Sequence, residues 1–167
     1  MTRHTGVEWP EIEKQIDAIA SSIAADNLVV HCIVAVLRGG MVPARLLVDR
    51  LPYRPDLLTV EIKAYAAAGV ATGEPTLVRP IRERLDGRTV LAVDDIADSG
   101  RTLDLLRAHL ASLGASRMIA ATLYRKSGSS ATPDYFAAVA APDEWIVFPW
   151  ESCEFEKDVP VRSSAAR

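Results

Sequence analysis

Apolar residues recur along this chain in two rhythms, one helical and one nearly continuous, and their order predicts the architecture. Ile12, Ile16, Ile19 and Ile23 repeat at helical spacing in EIEKQIDAIASSIAAD, which predicts an amphipathic opening helix. LVVHCIVAVL, residues 28–37, is an almost unbroken apolar run of the kind buried on both faces of a parallel sheet. Arg38, Gly39 and Gly40 break it. Pro43 suits the first turn of a helix over PARLLVDRL, and LLTVEIKAY, residues 57–65, reads as the next strand. TVLAV, residues 89–93, is a second buried strand. TLDLLRAHLASLG then sets Leu103, Leu106, Leu110 and Leu113 on one helical face, with Gly114 as the stop. RMIAATLY predicts a further strand, and DYFAAVA and EWIVFP predict shorter extended pieces.

Strands alternating with helices predict an α/β domain with a mostly parallel central sheet flanked by helices. In such sheets ligands bind beyond the carboxyl ends of the strands. A length of 167 residues suits one substantial core and is short for two, so residues 1–167 are read as a single domain, with a weakly patterned tail from about residue 155 expected to fray. A net charge of −3 and a pI near 5.6 argue against a nucleic-acid surface and favour a small-molecule partner. Cys32 and Cys153 form no CxxC pair, which fits a reducing compartment. No apolar run reaches the length of a membrane span and no apolar leader opens the chain, so a cytoplasmic protein without a membrane partner is expected. His4, His31 and His109 lack metal-ligand spacing, and His31, inside the apolar run, is read as a packing residue.

The stretch VLAVDDIADSGRT changes the picture from fold to chemistry. It sets Asp94, Asp95 and Asp98 within five residues and follows them with Ser99, Gly100 and Thr102. Close carboxylates repel one another, so a cation or hydroxyl donors are expected beside them. Residues 98–102 fall between a strand end and a helix start, where free N–H groups and the helix dipole favour an anion. A phosphate cradle is one reading; an ordinary helix cap by Ser99 or Asp98 is the other. A cap needs one carboxylate, and Asp94 and Asp95 supply two more. That pair suits the hydroxyls of a vicinal diol or the hydration shell of Mg²⁺, and a diol beside a phosphate cradle suggests a ribose 5-phosphate. Neither GxxxxGK[ST] nor GxGxxG occurs.

VLAVDDIADSGRT resembles the phosphoribosyl-diphosphate (PRPP) signature of type I phosphoribosyltransferases. VLRGGMVPA is similar to that family's pyrophosphate loop, LYRKS to its base-contacting lysine segment, and DEWIVFPWE to the base-stacking segment of its 6-oxopurine members, which include the bacterial xanthine-guanine and hypoxanthine enzymes. The likeness runs from about Leu28 to Glu151. It implies the type I phosphoribosyltransferase fold, with a small hood near the C-terminus. It also implies Mg²⁺-dependent transfer of the 5-phosphoribosyl group from PRPP to a 6-oxopurine base (guanine, xanthine or hypoxanthine), releasing pyrophosphate, in purine salvage, by a homodimer or homotetramer.

Residue by residue, the resemblance implies that Asp94 and Asp95 hold the ribose hydroxyls and the associated metal, with the Glu151 carboxylate at the metal site or at the base edge. Asp98, Ser99, Gly100, Arg101 and Thr102 would grip the 5-phosphate, with Asp98 also the catalytic acid/base. Arg38, Gly39 and Gly40 would bind pyrophosphate. Lys126 would donate to the 6-oxo oxygen, Trp145 would stack on the base and the backbone of Ile146 would line its edge. Read alone, RGG is a turn, Lys126 a solvated cation and Trp145 a core or interface residue. The small-residue loop from Ala66 to Glu74 would be the lid, and Tyr65 alone matches the family just before it. The rival readings are a PRPP-sensing regulator of the same fold and a phosphoribosyltransferase for another base.

Overall fold

The structure, a computed structural model, describes residues 3–63, 74–130 and 132–153. Residues 66–73 of the expected lid from Ala66 to Glu74, together with Tyr65 and the tail from residue 155, lie outside the described residues.

In chain order the elements are β1 (Arg3–Gly6), α1 (Trp9–Ala25), β2 (Cys32–Leu37), α2 (Met41–Arg50), β3 (Asp56–Lys63) and β4 (Thr76–Arg79). They continue with β5 (Thr89–Ala97), α3 (Arg101–Ser112), β6 (Arg117–Lys126), β7 (Tyr135–Ala140) and β8 (Glu144–Val147). Six strands form the main sheet in the order β4-β3-β2-β5-β6-β7. Every pair in it is parallel except β3 with β4. The apolar runs that read as doubly buried strands are buried on both faces because helices cover both. Ile33, Ala35, Leu91, Val93 and Ile119 face Ile12, Ile16 and Ile23 of α1 and Leu47 of α2. Their neighbours Val34, Val36, Val90, Ala92 and Ala120 face Leu103, Leu106 and Leu110 of α3, with Ile81 and Leu85 beside them. Each Val, Leu or Ile side chain among them contributes about 1.5–3 kcal/mol by leaving water.

The apolar run begins its ladder later than expected. β2 starts at Cys32, because Asn27, at φ 52°, turns the chain out of α1 and Tyr53 ties the next stretch by donating to Leu28 O at 2.9 Å. His31 is therefore not a packing residue in a strand. Its ring is exposed, and Nδ1 accepts from the Thr89 N–H at 3.0 Å. The four-residue strands β1 and β4, RHTG and TLVR, were not visible as periodic segments.

Two features position the site. From β2 the chain steps outward to β3 and β4, then returns to β5 on the other flank of β2 and steps outward to β6 and β7. The sheet order thus reverses between β2 and β5, which opens a crevice at their carboxyl ends. The second feature is the hood, a separate two-stranded parallel sheet pairing β1 with β8 in the register Arg3–Glu144 to Gly6–Val147. The hood lies near the C-terminus in sequence only by half, since the N-terminal strand supplies the other strand. Behind β8, Phe148 stacks on Trp150 at 4.8 Å and meets Tyr124 edge-on at 5.9 Å, anchoring the hood to the sheet.

Candidate active site

β5 ends in the acidic pair. The Asp95 N–H donates to Asp94 Oδ1 at 3.0 Å and the Ile96 N–H to Asp95 Oδ1 at 2.7 Å, so each carboxylate is fixed by the backbone that follows it. Asp95 is 9% exposed. Burial, then the charge of Glu151, pushes its carboxyl up to about 7. Burial and the neighbouring Asp95 raise Asp94 well above the usual carboxylate range. The fold therefore brings Glu151, 56 residues downstream, into the field of Asp95.

On the other flank of the crevice, residues 38–40 join β2 to α2, and the peptide between Leu37 and Arg38 is cis. Both glycines stand in close contact with the acidic strand. A Cβ on Gly39 would overlap the carboxylate of Asp95, and one on Gly40 would overlap the backbone carbonyl of Val93 and stand 2.8 Å from that of Val36. The Arg-Gly-Gly turn and the acidic pair are thus pressed together across the switch point.

Gly100 caps α3 in the left-handed region at φ 79°, and no side chain caps the helix. This corrects the cap reading. Neither Asp98 nor Ser99 caps the N-terminus of α3, whose first-turn N–H groups carry the positive end of the helix dipole without a capping side chain. Asp98 and Ser99 are exposed, and Ser130 Oγ braces the loop by donating to Ser99 O at 2.9 Å. Arg101 opens α3 and lies 3.9 Å from Glu74, the last residue of the expected lid.

Lys126 ends β6, and all three protons of its ammonium are directed at carbonyls: Ala141 at 3.2 Å, Pro142 at 3.3 Å and Glu144. Its head thus meets the start of β8. There Trp145 is 47% exposed, which excludes the core reading, while Ile146 is buried beneath the hood. Of the expected site residues, the structure gathers Asp94, Asp95, Glu151, Gly39 and Gly40 at the switch point, sets residues 98–102 at the start of α3, and joins Lys126 to the Trp145 segment through one carbonyl. Sequence reasoning missed Glu144. Its partners Arg3 and Thr5 lie about 140 residues away, beyond any local pattern.

Residues 7–155 match the phosphoribosyl transferase domain family. The chain belongs to that family. A xanthine-guanine phosphoribosyltransferase of Gluconobacter oxydans is 29% identical over 157 residues, covering 94% of this chain and 90% of that one. Among solved structures, a purine phosphoribosyltransferase from Pyrococcus horikoshii superposes with a TM-score of 0.76 at 31% identity, over 88% of this chain and 93% of that one. A protein from Neisseria gonorrhoeae solved with bound ppGpp superposes equally, at a TM-score of 0.76 and 25% identity over 94% of both chains. The chain is an enzyme of the phosphoribosyltransferase family with the expected α/β fold.

Proposed function

We propose that this phosphoribosyltransferase moves the 5-phosphoribosyl group of PRPP onto a 6-oxopurine, guanine, xanthine or hypoxanthine, and releases pyrophosphate. One observation carries the reading: the Arg-Gly-Gly turn abuts the acidic pair at the switch point, next to a helix N-terminus that no side chain caps. These are adjacent seats for pyrophosphate, a diol and a phosphate. The names of relatives support the purine class.

In this reading the backbone N–H groups of residues 98–102 and the hydroxyls of Ser99 and Thr102 bind the 5-phosphate, and Asp94 and Asp95 accept from the ribose hydroxyls. Arg38, Gly39 and Gly40 hold the pyrophosphate, the glycines by admitting it close to the backbone. An imidazole-ring nitrogen of the base bonds to the sugar's C1 as the bond from C1 to pyrophosphate breaks. The proton on that ring is taken by the exposed carboxylate of Asp98, within a loop already tied to the same nucleotide. Trp145 stacks on the purine and the backbone of Ile146, whose side chain is buried in the core, lines its edge. Lys126 gives the 6-oxo oxygen one of the protons now directed at Ala141 or Pro142, the longer of its contacts.

Asp95 raises Asp94 and Glu151 raises Asp95, a build-up of negative charge that a cation would relieve; no group of three acids close enough to hold a metal by themselves occurs among the described residues, and Mg²⁺ needs only one or two carboxylates when substrate phosphates supply the rest. Asp94, Asp95 and Glu151 would hold Mg²⁺, which when bound neutralises charge on the departing pyrophosphate. Purine salvage in the cytoplasm is the setting this chemistry suits. Exposed Val78 at one edge of the sheet and Phe136 and Val139 at the other favour a homodimer or homotetramer of this single domain. The net negative charge gives no reason to expect a nucleic-acid partner.

The deciding experiment is pyrophosphate release from PRPP with Mg²⁺ across four bases. Lys126 can only donate, and adenine presents an amino group where the oxopurines present an acceptor. An oxopurine should exceed adenine by at least ~10²-fold in kcat/KM, because a site built around a hydrogen bond rejects the mismatched analogue strongly. Equal use of adenine would refute the oxopurine assignment and leave the PRPP site standing.

A second ligand is favoured by the Neisseria neighbour and its ppGpp. A guanine nucleotide carrying two pyrophosphate groups presents the same pieces as PRPP and base together. ppGpp should therefore compete with PRPP in an equilibrium titration, and additive binding of the two would count against a shared site.

A further inference from the structure

Glu144 opens β8 directly before the Trp145–Ile146 segment, and it is the most heavily engaged acid outside the acidic pair. Its carboxylate is 11% exposed. Oε1 accepts from Arg3 Nη2 and from Thr5 Oγ1, both at 2.7 Å, and Oε2 accepts from the Ala141 N–H at 3.1 Å. Its main-chain oxygen meanwhile accepts from Lys126 Nζ. One residue thus ties together three elements: β1 through the side chains of Arg3 and Thr5, the turn from β7 through Ala141, and the end of β6 through Lys126. Those hydrogen bonds hold Glu144 well below the usual carboxylate range, at about 2, so the carboxylate is the working form. The geometry has a direction. Pairing with β1 fixes the lateral position of β8, and the Lys126 contact fixes its height over the sheet, leaving Trp145 exposed on one face and Ile146 buried on the other.

We propose that Glu144 is the positioning residue of the base side of the site, and that the N-terminal strand, through Arg3 and Thr5, takes part in setting the affinity for the purine. This rests on the oxopurine reading above. Glu144 touches neither substrate nor reacting atoms. It acts by placing Trp145, Ile146 and the Lys126 ammonium, while the pyrophosphate and phosphate loops stand on β2 and β5 and do not depend on it.

The test uses the full chain with PRPP, Mg²⁺ and the best of guanine, xanthine and hypoxanthine. Glu144→Ala should raise KM for the base about 10-fold or more, since small misplacements near reacting groups are costly, while KM for PRPP stays within about twofold. Glu144→Gln keeps an acceptor for Arg3 and Thr5 but turns an amide toward the Ala141 N–H, so it should recover part of the loss. Calorimetry should show weaker binding of the nucleoside monophosphate product to Glu144→Ala, with pyrophosphate binding unchanged. Should Glu144→Ala fail to fold, Thr5→Val removes one donor and should give a smaller rise confined to the base. An unchanged base KM, an equal rise in both KM values, or no recovery with glutamine would overturn the proposal. Wild-type protein that transfers to no oxopurine would overturn the functional reading instead, so the two failures are distinguishable.

Discussion

At Gly39 and Gly40 a single added methyl group separates two kinds of constraint. At Gly39 the methyl meets only the Asp95 side chain, with Oδ1 at 2.8 Å and the rest of the carboxylate closer. At Gly40 it meets backbone on two strands, Val93 and Val36, and the Asp94 Cα at 3.0 Å. Moving the Asp95 carboxylate costs its one hydrogen bond from the Ile96 N–H, whereas paired strands cannot separate without losing their ladder. Gly40→Ala should therefore destabilise the fold by about 1–3 kcal/mol, the usual range for overpacking. Gly39→Ala should melt close to wild type and yet bind Mg²⁺-PRPP poorly, because it displaces Asp95. Denaturant titration and PRPP calorimetry on both variants test the distinction, and equal stabilities would show that the β2–α2 turn yields more easily than its contacts imply.

The hood is the element whose stability should respond to acid. Glu144 is held down from 4.5 to about 2, first by its hydrogen bond from Thr5, then by that from Arg3 and by the Ala141 N–H. A carboxylate with a depressed folded-state pKa adds stability that is fully present above its unfolded value and is lost as pH falls through the folded value. The tether of β1 to β8 should thus hold at neutral pH and weaken below about 4.5. Thermal melts of wild type and Glu144→Gln between pH 7 and pH 3 provide the check. The stability gap between them should be widest near neutrality and narrow with acid, and a gap that does not change with pH would place the role of Glu144 in shape rather than charge.

For the molecule as a whole, the site is a consequence of strand order. The two loops that meet belong to segments more than fifty residues apart in sequence, and they become neighbours because β2 and β5 pair at the reversal of the sheet. The sequence by itself determined the elements whose signal is local: the isoleucine stripe of α1, the leucine face of α3 with Gly114 as its stop, and the apolar runs of β2, β5 and β6. It also exposed the acidic loop, because three carboxylates so close to a helix start demand a partner wherever they lie. Tertiary structure decided the rest. β1 and β4 hold four residues each, too few to show a period, and exist because a neighbouring strand supplies their hydrogen bonds. His31 was displaced from the core by a turn that its apolar neighbours conceal. The cap of α3 went to Gly100 because only a left-handed residue continues the chain from that loop into the helix. Glu144 carried no sign of its role, because its partners stand at the opposite end of the chain and local pattern does not reach across that separation. Periodicity reports which face of an element meets a core; which elements meet each other depends on pairings between distant segments, and those pairings made the site.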